Sequence, residues 1–249
     1  MVKKVIISVL ICFAFILFLP KENSRSWGFY GHKRINRMAV FTLPPEMVTF
    51  YKNHIEFITN HAVDPDKRRY GVEGEAPRHY IDIDHYGEHA FDSVPKFWKA
   101  AIAKYTEDTL MAYGIVPWQI EKHYYKLMNA FKDENLDRIL HYSADLGHYI
   151  ADAHVPLHTT ENYNGQLTGQ RGIHGFWESR IPELKAEEYD YFVGRAKYID
   201  SPIKEAWRIV YDSHMSGDRV LKGEAALSKE FPEDRKYAYE NRGNVMMKV

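Results

Sequence analysis

Two segments of the chain set an imidazole and a carboxylate four residues apart. In His148-Tyr-Ile-Ala-Asp152-Ala-His-Val-Pro156-Leu-His158, residues 148 and 152 share a face if the segment is helical. Pro156 then ends or kinks that helix, so His158 can approach the same region from the next turn. Imidazole and carboxylate at this spacing form a ready zinc chelate. Taken alone, the pair reads more readily as a surface ion pair. It is not alone. His174-Gly-Phe-Trp-Glu178 repeats the spacing, His79 follows Asp64 by 15 residues across a polar loop, and His32 lies five residues after Trp27.

The composition bounds what such a cluster could be. The chain has 249 residues, 45% of them hydrophobic, with 13 His, 18 Tyr and 5 Trp. That is enough for one ordinary domain with a true core, so disorder is excluded as the default. Lys3 and Lys4 precede an apolar run from Val5 to Leu19, Pro20 ends it, and Ser24-Arg25-Ser26 offers small residues before Trp27. This pattern predicts a secretory signal over 1–26, cut before Trp27, and a secreted or periplasmic protein. Without that stretch the formal net charge falls from −1 to about −4. An acidic body argues against tight nonspecific binding to nucleic acid, although bound metal ions could supply positive charge to a phosphate. The single cysteine, Cys12, sits inside the signal. Any metal must therefore be held by His, Asp and Glu.

Helical periodicity dominates the rest, so the predicted class is all-α, one domain over 27–249. Ile35, Met38, Ala39 and Phe41 mark a first short helix. Pro44-Pro45-Glu46 opens a second, with Met47, Phe50, Tyr51, His54, Phe57 and Ile58 on one face. A polar loop follows from Asp64 to Arg78. Further helices are expected near 94–113, 117–132, 135–155, 173–183, 203–215 and 218–229. Only His79 to Asp84 alternates like a strand.

Taken in order, Trp-Gly-x-x-Gly-His, Asp, His-Tyr-Ile-Asp, His-x-x-x-Asp-x-x-x-Pro-Leu-His and His-x-x-Trp-Glu resemble one superfamily. It contains the bacterial zinc-dependent phospholipases C and the single-strand-specific zinc nucleases of mung bean type. The resemblance runs from Trp27 to about Leu184 and implies three zinc ions per chain. Asp64, His79, His148 and Asp152 would hold one. The amine and carbonyl of Trp27, with His32 and the second oxygen of Asp152, would hold its neighbour. His158, His174 and Glu178 would hold the third. The bridged pair would share an activated water, the third ion would bind phosphoryl oxygens, and Asp64 would orient the water or act as general base.

Other positions bear on the substrate. Lys67 stands where family nucleases often carry a phosphate-steadying arginine, but lysine lacks the bidentate fork. His141 and Asp145 share the stripe of His148 and Asp152, which suits either support of a ligand ring or a polar helix face. Glu178 resembles the phospholipase choice. Tyr80 and Asp82 resemble the nuclease pair that stacks on a base and hydrogen-bonds it, a role open to single strands of any sequence. Tyr80 as a core aromatic is at least as ordinary a reading. The expected activity is therefore a phosphodiesterase acting on single-stranded nucleic acid or nucleotides, with phospholipase C as the alternative. A catalytically silent, zinc-stabilised binding module stands third. No stable protein partner is implied.

Overall fold

The computed structural model describes residues 28–230, with the backbone of 239–242 and 245–248. The fold is all-α. The elements that matter for the site are α1 (Phe29–Thr42), α2 (Pro45–Asn53), α3 (Ile55–Asn60) and α4 (Asp64–Arg68). Then come α5 (Ala90–Ser93), α6 (Trp98–Tyr105), α7 (Glu107–Tyr113), α8 (Val116–Lys132) and α9 (Leu136–Ala153). A short helix α10 (Ile173–Gly175) continues through a π-helical turn (Phe176–Arg180) into α11 (Ile181–Lys185), and α12 (Pro202–Glu230) closes the body. Beyond it, Tyr239–Arg242 and Val245–Lys248 form an antiparallel hairpin.

The helix boundaries differ from the periodicity in ways with local causes. The expected helix over 94–113 is split at Thr106, whose φ of 70° no helix tolerates, and whose side chain then caps α7 at Thr109. The stretches 203–215 and 218–229 are one continuous helix, because Gly217 lowers helix propensity without breaking it. His79 to Asp84 forms no strand. Two 3₁₀ turns flank an extended link at 80–82. The link is hydrogen-bonded through Ile81 N–H to the His158 carbonyl and through Asp82 N–H to the Tyr113 carbonyl. The alternation survives nonetheless. Ile81 and Ile83 are fully buried, while Tyr80 and Asp82 face a cavity.

Three tryptophans tie the main core together. Trp118 on α8 packs against Trp98 on α6 and Trp207 on α12. Both Trp118 and Trp207 donate their indole N–H to the Lys96 carbonyl, so their burial leaves no polar cost. α8 and α9 are antiparallel neighbours joined by a tight turn, with Asn135 capping α9 at Arg138 N–H.

The face of α1 is reversed from the expected one. Ile35 and Phe41 are exposed, and the buried stripe is His32, Asn36 and Val40. The cause is a close crossing with α9. Asn36 donates to the Ala144 carbonyl at 3.0 Å, and its amide lies where a Cβ on Gly147 would stand. Glycine at 147 thus lets α1 approach until the rings of His32 and His148 stack at 3.8 Å. Gly147→Ala is expected to cost about 1–3 kcal/mol by overpacking this crossing. Gly223→Ala, where the added methyl meets nothing, should instead gain up to about 1 kcal/mol. Thermal or denaturant unfolding of the two variants checks the contrast, and equal effects would refute the crossing argument.

Candidate metal centre

Three groups of side chains come together inside the body: His32 with Asp66 and His148, His79 with His148 and Asp152, and His158 with His174 and Glu178. Only His174 of these is appreciably exposed. The i, i+4 spacing on α9 sets His148 Nε2 3.1 Å from Asp152 Oδ2. His79 Nδ1 lies 2.8 Å from the same oxygen and 3.0 Å from His148 Nε2. The other Asp152 oxygen, Oδ1, faces His32 Nε2 at 3.4 Å and His158 Nδ1 at 3.8 Å. One carboxylate therefore presents an oxygen to each of two neighbouring groups.

In three of the rings a backbone carbonyl determines which nitrogen is available. His148 Nδ1–H donates to the Ala62 carbonyl (2.8 Å), His158 Nδ1–H to His79 (2.6 Å) and His174 Nδ1–H to Tyr163 (3.1 Å). In a neutral ring the remaining Nε2 carries a lone pair. His158 Nε2 and His174 Nε2 are each 3.0 Å from an oxygen of Glu178, and neither oxygen receives a well-directed hydrogen bond. Each Nε2 can meet the buried carboxylate either as a protonated N–H or, in the neutral ring, as a lone pair with a cation between the two. Zinc fits that arrangement by donor type and by the orienting hydrogen bond behind each ring.

The electrostatics carry the same demand. Burial disfavours charge on His158, but Glu178 and Asp152 outweigh it and hold the ring's pKa up at about 9. Burial likewise opposes charge on Asp152 and Glu178. The surrounding imidazoles overcome it, keeping Asp152 well below the usual carboxylate range and Glu178 below its own. His32 is pulled down by burial and then by His148, which favours the neutral, ligating form.

Asp64 lies outside this cluster. Its Oδ1 pairs with Lys67 Nζ at 2.8 Å and its Oδ2 with His61 Nδ1 at 2.5 Å. Lys67 is thereby occupied as well, on the surface. Asp66, two residues on and buried, is the acid that α4 turns inward, with Oδ1 3.8 Å from both His79 and His148. The residue three positions after Asp66 is Arg69. It lines a cavity with Tyr80, Asp82, Leu157, His158, Tyr163 and His174. His141 and Asp145 do not support the ligand rings. His141 packs on Phe57 and His61, and Asp145 pairs with Arg68 at 2.7 Å. The acid buried beside His79 is instead Glu75. Glu75 accepts from Tyr149 and Arg78 and stands 3.9 Å from His79 Nε2. Trp27 lies outside the described residues. Glu178 sits within the π-helical turn, a feature common at functional sites.

The model of the family described as zinc-dependent phospholipase C matches residues 31–217. No curated protein matches the chain. Since Asp66 and not Asp64 faces the cluster, Asp66→Asn is expected to lower zinc content or affinity by about ten-fold or more, and Asp64→Asn to leave both within error. Elemental analysis and competition with a chelator measure this. Zinc loss from Asp64→Asn alone would restore the other register.

Proposed function

The chain belongs to the zinc-dependent phospholipase C family and is a zinc-dependent hydrolase of phosphate esters, and from that premise we propose that it cleaves phospholipids at the glycerol side of the phosphate. The observation that carries this choice is the pairing of an acid with two tyrosines in the cavity beside His158 and His174. Asp82 lines it, and its carboxyl is pushed up to about 7, first by burial and then by Asp84 and Glu161. Asp82, with the negative charge of Asp84 and Glu161 near it, draws in a cation, while Arg69 in the same lining offers a charge to a phosphate. Two tyrosines, Tyr80 and Tyr163, also line the cavity. Aromatic faces with an acid form the ordinary receptor for a quaternary ammonium headgroup.

The residues divide the reaction as follows. Zinc, when bound, stabilises charge on the phosphoryl oxygens and makes water acidic enough to attack at neutral pH. Asp66 accepts the proton of the attacking water, the role first expected of Asp64. Arg69 grips the phosphate with its planar fork, the role first expected of Lys67. Asp82, Tyr80 and Tyr163 hold the headgroup. The proton passed to Asp66 ends on the departing glycerol oxygen. Three ions per chain, with Trp27 supplying its α-amino group after export and cleavage, remain part of the proposal. In support, Gly28 packs against Ser179, next to Glu178. Amino-terminal sequencing of the exported chain should read Trp-Gly-Phe.

One observation favours the nucleic-acid reading: Tyr80 and Asp82 line one cavity, as stacking on a base with a hydrogen bond to its edge requires. The zinc-loaded protein assayed on soluble short-chain phosphatidylcholine and on single-stranded DNA separates the two. The phospholipid should be cleaved and the DNA largely spared. Asp82→Asn should raise KM for the cationic headgroup about ten-fold and leave an anionic headgroup little affected. Cleavage of DNA alone would reverse the assignment, and cleavage of neither by the zinc-loaded protein would favour a silent binding module.

A further inference from the structure

Between α11 and α12, past a single 3₁₀ turn, residues 189–201 run without regular structure and carry their large apolar side chains outward. Phe192 is 91% exposed, Tyr198 88% and Val193 68%, with Tyr189 and Ile199 nearly half exposed. The segment is fastened rather than loose. Arg34 lies over the Tyr191 ring at 4.6 Å, Tyr191 donates its hydroxyl to the Ala186 carbonyl, and Ala196 N–H donates to the Thr42 carbonyl. At the tip, Phe192 N–H donates to Asp190 Oδ1 and Val193 N–H to the Tyr191 carbonyl, and Gly194 at φ +80° completes the reversal. A built turn thus holds Phe192 and Val193 in water, at a cost that a partner must offset.

The charges around the turn say which partner. Glu188 is paired with Lys185 at 2.8 Å, Glu187 faces Arg34 at 3.7 Å, and Asp190 is turned onto the backbone. Asp200 lies at the far end, beside the start of α12. Arg195 and Lys197 are exposed and have no ion-pair partner among the described residues. The tip therefore offers aromatic and branched apolar groups flanked by two cations. That is the composition of a membrane–water interface, where rings sit at headgroup level and Lys and Arg meet phosphates. A second copy of the chain fits less well, since symmetric contact would bring the same cations face to face.

We propose that this strap docks the enzyme on a phospholipid bilayer, with Phe192, Val193 and Tyr198 entering the headgroup boundary and Arg195 and Lys197 lying against lipid phosphates. The proposal rests on the phospholipid reading of the metal centre. It adds a surface outside the cleft, fastened to the helix that carries His32. No helix among the described residues is long and apolar enough to cross a membrane, and the strap acts at the surface alone.

The test uses the zinc-loaded protein and two variants, Phe192→Ser with Tyr198→Ser, and Arg195→Ala with Lys197→Ala. Binding is read by co-sedimentation with vesicles of phosphatidylcholine containing some phosphatidylglycerol. Hydrolysis is read on those vesicles and on monomeric short-chain phosphatidylcholine. Vesicle binding and vesicle hydrolysis should each fall by about ten-fold or more in the aromatic variant, with hydrolysis of the monomeric lipid unchanged. The charge variant should lose binding chiefly at low salt. Unchanged vesicle binding in the aromatic variant would overturn docking while leaving the phospholipid reading intact, as would a wild-type dimer that this variant dissolves. Strap-dependent binding without hydrolysis of any phospholipid would support docking and overturn the substrate reading instead.

Discussion

Three carboxylates, Asp66, Asp152 and Glu178, are buried among imidazoles. A buried charge left uncompensated costs several kcal/mol, so these carboxylates demand positive charge beside them, which protonated rings or bound metal ions can supply. Metal ions between the rings and the carboxylates meet that demand and leave the rings neutral as ligands. The rest of the fold serves this requirement, because each ligand must be delivered, oriented and kept dry.

Delivery follows from a few local devices. The regular spacing of α9 brings His148 and Asp152 to one face, and Pro156 stops the helix so that the next turn returns His158 beside them. Gly147 admits α1 closely enough to bury His32 against His148. The extended link at 80–82, bonded on one side to residue 113 and on the other to His158, ties the His79 group to the His158 group. The same link turns Tyr80 and Asp82 into the neighbouring cavity. A candidate metal ligand and the lining of the adjoining cavity are therefore placed by one short segment.

Much of this is legible in the residues, and the failures have physical reasons. Spacings of four on a helix are geometric statements, so the order of residues alone pairs His148 with Asp152 and His174 with Glu178. Spacing cannot tell Asp64 from Asp66, because both precede His79 across a loop whose path no periodicity records. The turn of α4 decides it, and the arginine three residues later then becomes Arg69 rather than Lys67. The inward face of α1 runs against its apolar pattern because the buried stripe is His-Asn-Val, polar for the sake of the cluster, while Ile35 and Phe41 stay outside. Glu75 and Tyr163 belong to no motif at all. Their roles depend on contacts across the fold, with Tyr149 in one case and His174 in the other.

Zinc-edge anomalous diffraction from crystals of the zinc-loaded protein tests the central claim most directly. The account predicts metal density within all three groups, with Asp152 giving one oxygen to each of two ions. Asp66 should lie at bonding distance, and Glu178 should be separated from the rings of His158 and His174 by an ion. A single ion, or ligation by Asp64 with Asp66 turned away, would contradict it.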